Sequence, residues 1–177
     1  MNDDLTSEQR RIVSAGPDER LLVTAGPGTG KTRVLVARLA KLVDEDDVAP
    51  GMGLLVLSFS RAAVGEIRER LRHRDEEVRF VRVYTFDGFA SRLLSSLAET
   101  DDRVQGSYDA RIVEATRLLS SEAAADLIGD YRHVLVDEVQ DLVGVRADFV
   151  LRILEVVQAG FTLMGDPAQS IYNFQLE

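Results

Sequence analysis

Short runs of consecutive apolar residues recur along the chain, and most are bordered by longer stretches whose apolar residues return at helical spacing. The runs are Leu21-Leu22-Val23, Leu54-Leu55-Val56-Leu57, Val81-Arg82-Val83-Tyr84, Val134-Leu135-Val136 and Phe161-Thr162-Leu163-Met164. Apolar residues on consecutive positions suit strands buried on both faces, as in a parallel sheet. Val34, Leu35, Ala37, Arg38, Leu39 and Leu42 form a helical pattern after the first run, and Ala63, Ile67 and Leu71 form one after the second. Phe86, Phe89, Ala90, Leu93, Leu94 and Leu97 follow the third, and Val150, Leu151, Leu154 and Val157 precede the last. This alternation predicts an α/β fold, a parallel sheet with helices on both faces. In such sheets ligands bind outside the carboxyl ends of the strands. The acidic run Asp44-Glu45-Asp46-Asp47, before Pro50-Gly51-Met52-Gly53, reads as a solvated connection, and Glu99 to Gly106 reads as a second loop.

The 177 residues suffice for one well-buried domain, and they contain no internal repeat. There is no cysteine, which excludes disulfides and thiolate metal sites. Two isolated histidines, His73 and His133, do not suggest a metal centre, and His133 reads as structural because it precedes a buried run. Met1-Asn2-Asp3-Asp4 has neither the basic start nor the apolar core of a signal peptide. No apolar run approaches the ~18 residues needed to cross a membrane. The expected location is the cytoplasm, with no membrane partner; nothing in the residues sets an oligomeric state. A formal net charge of −9 argues against binding nucleic acid through the overall field. It leaves room for a local groove, which needs only a few well-placed donors.

Candidate chemistry begins at Ala25-Gly26-Pro27-Gly28-Thr29-Gly30-Lys31-Thr32, after the first run and at the start of a helical pattern. This is a P-loop arrangement, with Ala25 where the strict pattern has its first glycine. Its glycines let backbone N–H groups face phosphate oxygens, and the helix N-terminus favours negative charge. Lys31 can reach the β and γ phosphates of ATP, and the Thr32 hydroxyl can ligate Mg²⁺. Val134-Leu135-Val136-Asp137-Glu138 has the form of a Walker B strand, with Asp137 holding Mg²⁺ and Glu138 polarising the attacking water. An Asp-Glu pair alone is more often a strand end meeting solvent. Paired with the P-loop it carries weight, and the two segments are expected on neighbouring strands at one crevice.

Taken in order, the motifs resemble the UvrD/Rep-type superfamily 1 DNA helicases, from Leu5 to about Phe174. Leu5-Thr6-Ser7-Glu8-Gln9 resembles the family's Q motif, which implies that Gln9 recognises the adenine edge. The P-loop corresponds to motif I, where an arginine after the threonine, here Arg33, is common. Leu57-Ser58-Phe59-Ser60-Arg61-Ala62-Ala63 is similar to motif Ia, and Tyr84-Thr85-Phe86-Asp87-Gly88-Phe89 to a motif that touches DNA. Val136-Asp137-Glu138-Val139-Gln140-Asp141 matches motif II, and Gly165-Asp166-Pro167-Ala168-Gln169-Ser170-Ile171-Tyr172 matches motif III. The resemblance implies a RecA-like P-loop NTPase domain in which Gln169 senses the γ-phosphate. It implies single-stranded DNA as partner, met by Phe59, Arg61, Thr85, Tyr172 and Phe174. Phe59, Tyr172 and Phe174 are stacking candidates; Phe86 and Phe89 fall on an apolar helical face and read as core. For Arg61 and Thr85 a solvated loop remains an equal alternative.

The departures from the family pattern concern DNA. Asp87 stands where the family has histidine, Ala62 where it has lysine, and Phe174-Gln175 where it has Trp-Arg. The stretch from Thr85 to Asp137 is short, and Tyr108-Asp109-Ala110-Arg111 already resembles the helix before motif II, so the family's helical insert is expected to be absent or minimal near 97–107. A second RecA-like domain with arginine fingers is expected beyond Glu177, which would leave the isolated chain a weak ATP binder with negligible turnover. The leading reading is an ATP-driven motor domain on single-stranded DNA. A regulatory or nuclease-associated ATPase module is the first alternative and a nucleotide kinase the second.

Overall fold

Each apolar run forms a strand, and the five described strands run parallel. The computed structural model describes residues 5–74, 77–97, 107–166 and 168. The strands are β1 (Arg20–Thr24), β2 (Leu54–Ser58), β3 (Val83–Thr85), β4 (His133–Asp137) and β5 (Gly160–Gly165), in the order β1-β5-β4-β2-β3. β5 therefore lies between β1 and β4, and the strands that carry the P-loop and the Asp-Glu pair are not neighbours, contrary to the sequence expectation. Register still brings their ends level, since Met164 of β5 pairs with both Val23 and Asp137. On the other side Leu57 pairs with Val136, and Ser58 with Thr85.

Seven helices are described: α1 (Ser7–Ser14), α2 (Lys31–Asp44), α3 (Arg61–Arg72), α4 (Phe86–Leu97), α5 (Tyr108–Leu118), α6 (Glu122–Ile128) and α7 (Val145–Val157). They cover both faces of the sheet. Side chains alternate along a strand, so Leu54 and Val56 of β2 join Leu135 of β4 in one layer with α1, α2 and α3. Leu55, Leu57, Val134 and Val136 enter the opposite layer, with Phe86, Phe89, Ile112, Phe149 and Ile153 of α4, α5 and α7. At β1 the expectation of burial on both faces fails. Leu21 and Val23 pack toward α1 and α2, while Leu22 is 69% exposed on the face that the α4–α7 layer does not cover.

Two polar features depart from a simple core. Asp46, in the acidic run read as solvated, is turned inward and paired with Lys41 at 2.6 Å. Arg38, on the apolar side of α2, is fully buried. Its Nη1 donates to the carbonyls of Ile12 at 2.8 Å and Ala15 at 2.9 Å, its Nη2 to Gly16 at 3.2 Å, and its Nε to Thr162 Oγ1 at 2.7 Å. The guanidinium thereby caps the C-terminal end of α1 and ties it to β5. His133 completes the network: Nδ1 donates to the Pro17 carbonyl at 2.6 Å, which leaves Nε2 to accept the Thr162 hydroxyl at 2.9 Å.

Candidate functional site

β1 ends at Thr24, and the chain turns through Ala25–Gly30 into α2. Ala25 extends the strand pairing by one bond, its N–H donating to the Gly165 carbonyl at 3.0 Å. Gly28 at φ 71° and Gly30 at φ 84° occupy the left-handed region that side chains avoid. Thr29 Oγ1 donates to the Gly26 carbonyl at 2.8 Å, and Pro27 sits exposed at the tip. Lys31 Nζ donates to the carbonyls of Ala25 at 3.1 Å and Gly26 at 3.4 Å, so the ammonium lies against the loop itself. Thr32 and Arg33 follow on the first turn of α2, both partly buried.

Gln9 reaches this loop from α1. Its Oε1 accepts from Thr6 N while Thr6 Oγ1 accepts from Gln9 N, a reciprocal cap that fixes the start of the helix. Its Nε2 donates to the Thr29 carbonyl at 2.9 Å. A carboxamide has two N–H donors and two lone pairs, so a donor and an acceptor remain to meet the edge of a base. Gln9, Thr29 and Lys31 line one cavity of about 440 Å³, whose apolar wall comes from Ile12, Val34 and Met164.

β4 delivers the acids. Asp137 is buried, and its carboxyl is pushed up to about 6, first by burial and then by the charge of Glu138; Lys31 acts in the opposite direction. Glu138 adopts φ 58°, ψ 47°, a left-handed conformation that costs a non-glycine residue on the order of 1 kcal/mol or more. Gln140 holds it there. Its Nε2 donates to Glu138 Oε2 while its Oε1 accepts from Asp166 N at 2.9 Å. Gly165 makes room for this bridge, since a Cβ there would lie 2.7 Å from Gln140 Oε1.

The oxygens around Asp137 suit a hard divalent cation. Ser58 Oγ and Asp166 Oδ2 are buried without a hydrogen-bond partner among the described residues. They stand at the carboxyl ends of β2 and β5, the two strands that flank β4. Water ligands of an ion such as Mg²⁺, which keeps several waters and takes few protein oxygens, would satisfy both. Asp137 and the Thr32 hydroxyl are the side chains that could hold such an ion, Asp137 through water. Among the described residues there is no group of three His, Cys, Asp or Glu placed to hold a metal on its own.

A second cavity, of about 500 Å³, opens at the ends of β2 and β3 and brings together Phe59, Arg61 and Thr85. Phe59 is 45% exposed, unlike Phe86 and Phe89, which are buried as the helical pattern predicts. Thr85 Oγ1 accepts from Gly88 N at 3.0 Å and caps α4, leaving its own O–H as a donor. Asp87 faces Arg146 of α7 at 3.4 Å.

The family model for the UvrD/REP helicase N-terminal domain matches residues 5–108 and 101–176. The chain belongs to this family. ATP-dependent DNA helicase PcrA of Staphylococcus epidermidis is 39% identical over 94 residues, which is 51% of this chain and 12% of that protein. ATP-dependent DNA helicase UvrD2 of Mycobacterium tuberculosis is 34% identical over 151 residues, 79% of this chain and 20% of the relative. DNA helicase II of Escherichia coli is 40% identical over 93 residues, 52% of this chain and 13% of the relative. The chain spans only this small fraction of the relatives it matches.

Within the UvrD/Rep fold, the structure brings Gln9, Gly26–Lys31 and Thr32 to one end of the sheet with Asp137 and Glu138. It places Phe59, Arg61 and Thr85 together around the second cavity. Gln169, Tyr172 and Phe174 lie outside the described residues, as does the stretch near 97–107, where the insert is expected to be absent or minimal, apart from Leu97 and Ser107. Two side chains were not singled out from sequence. Gln140 was legible only as a member of a motif, without a task. Arg146 carried no signal, because its partners come from distant segments.

Proposed function

We propose that this chain is the ATP-binding motor domain of an ATP-dependent DNA helicase or translocase, which couples ATP hydrolysis to movement along single-stranded DNA. One observation carries the reading: the P-loop after β1, the acids of β4 and the Phe59–Thr85 cavity all lie at the carboxyl ends of the same parallel sheet. A change at the phosphates is then transmitted to the nucleic-acid side through β5, β4 and β2. Gln9 seats adenine, the backbone of Gly26–Gly30 cradles the phosphates, and Lys31 meets their β and γ oxygens. Mg²⁺ at Thr32 and Asp137 would neutralise phosphate charge, and Glu138, steadied by Gln140, orients the attacking water. Gln169 is assigned the γ-phosphate sensor, and Arg33 stays near the nucleotide through its place on α2. Phe59, Tyr172 and Phe174 stack on bases, while Arg61 and Thr85 meet the strand's backbone. A second RecA-like domain supplies the arginines that close the site, and the compartment is the cytoplasm.

The test is ATP turnover in the whole protein with and without single-stranded DNA. DNA should stimulate turnover, and Glu138→Gln should abolish it while Mg-ATP binding persists. Lys31→Ala should weaken Mg-ATP binding in calorimetry by about 1 kcal/mol or more, as expected when a charge-assisted hydrogen bond is lost. Turnover indifferent to DNA would favour a regulatory or nuclease-associated module instead. Asp87, a carboxylate facing the groove, is the observation on the side of that second reading.

A further inference from the structure

The second cavity has two walls, and only one of them comes from family motifs. Phe59, Arg61 and Thr85 form the first. The other is built by Tyr108 and Arg111 of α5 and Arg146 of α7. Three arginines therefore face a space whose nearby acids are Asp87 and Asp109, on a chain of net charge −9. Each wall exposes a large aromatic ring, Phe59 at 45% and Tyr108 at 58%. The Arg111 guanidinium lies 4.7 Å above the Tyr108 ring, which holds that ring as a flat, cationic platform. Arg146 is aligned by Asp109 at 2.9 Å and Asp87 at 3.4 Å. A guanidinium has five N–H donors, so this double pairing still leaves donors for an incoming oxygen, and the three arginines outnumber the two nearby carboxylates.

We propose that Tyr108, Arg111 and Arg146 form a second wall of the single-stranded-DNA groove, opposite Phe59 and Arg61. This rests on the DNA reading given above. Exposed rings beside arginines are the combination that single strands take, bases on the π faces and phosphates on the cations. A cavity of about 500 Å³ accommodates a nucleotide and is too small for a folded partner. Where the family pattern has a histidine, this chain has Asp87, and the cation is supplied from across the groove by Arg146.

Fluorescence anisotropy of a labelled oligothymidylate with this chain, at several salt concentrations, tests the assignment. Phe59→Ala reports on the DNA reading itself. Tyr108→Ala should weaken binding roughly five- to fiftyfold, with Tyr108→Phe restoring it. Arg111→Gln and Arg146→Gln should weaken binding and lower the slope of log affinity against log salt by about 0.7 for each phosphate that is no longer neutralised. Asp109→Asn should tighten binding, because it removes an opposing charge. That opposite sign separates a groove from a merely structural ion pair, whose loss from either side would act in the same direction. Mg-ATP affinity should stay unchanged in every variant, which also certifies folding. If Phe59→Ala weakens binding while the Tyr108 and Arg111 variants match wild type, the second wall is refuted and the DNA reading stands. If the unaltered chain binds no oligonucleotide at low salt, both fall. If the arginine variants lose binding, Tyr108→Ala does not, and polyglutamate displaces the oligonucleotide, the cavity is a site for acidic protein segments and the proposal is overturned.

Discussion

Arg38 takes a charge into the layer between α2 and the sheet, and burial pulls its pKa down to about 10. What makes the position tenable is that its donors meet carbonyls at the end of α1 that have no helical partner of their own. Arg38→Met fills much of the same space and strands those carbonyls. Urea unfolding should show a loss of about 1–3 kcal/mol, as for buried acceptors left without a donor, and no loss would mean that the network is idle. His133, in the same network, titrates in an unusual range. Burial first, then the nearby Arg38 charge, lower its pKa from 6.5 to about 4. The unfolded chain therefore takes up a proton between pH 6.5 and 4 that the folded chain refuses. The contribution to stability is complete above pH 6.5 and falls as pH drops toward 4, by roughly 3 kcal/mol for a shift of this size. Asp137 works the other way, because its raised pKa of about 6 lets the folded state take up a proton first, between pH 6 and 3.8. His133→Gln isolates the histidine: its stability should vary less than wild type between pH 6.5 and 4, and parallel pH curves would exclude the histidine as the cause.

At the scale of elements, the turn after β4 and the end of β5 are joined by one side chain. Gln140 spans them, and Gly165 permits it. Gly165→Ala should push Gln140 away and release Glu138 from its left-handed conformation. Mg-ATP binding should persist, while DNA-stimulated turnover of the whole protein falls by on the order of 10²-fold, as for a misplaced catalytic group. Gly51→Ala, where a new Cβ meets nothing nearer than Arg82 Nε at 4.0 Å, is the control and should be silent. The elements differ in how far the chain announced them. The strands were legible because burial on both faces leaves no polar positions in the middle of β2 and β4. α1 was not, because its apolar residues are few and its mark is the reciprocal cap between Thr6 and Gln9. The order of strands was hidden as well: placing β5 between β1 and β4 depends on pairings across the whole chain. The P-loop and the acids could be read locally, since one backbone turn and one strand end contain all their chemistry. The Asp87–Arg146–Asp109 cluster could not, because three separate helices bring it together.

For the molecule as a whole, the two faces of the sheet are covered unequally. No described helix is long and apolar enough to cross a membrane. Both layers close over β2 and β4, yet among the described residues β1 pairs with β5 alone and presents Leu22 on an uncovered face. An open parallel edge with an apolar side chain beside it is a template for another chain. Sedimentation velocity should therefore show concentration-dependent self-association of this chain that Leu22→Lys suppresses. A monomer at every accessible concentration would end that idea. The strand left open is also the one that leads into the P-loop, with Thr24 directly before Ala25. Self-association at this edge and the proposed nucleotide site would thus meet in one strand, Arg20–Thr24. Crowding should consequently be visible in kinetics: the release rate of a fluorescent ATP analogue should change with protein concentration in wild type and stay flat in Leu22→Lys.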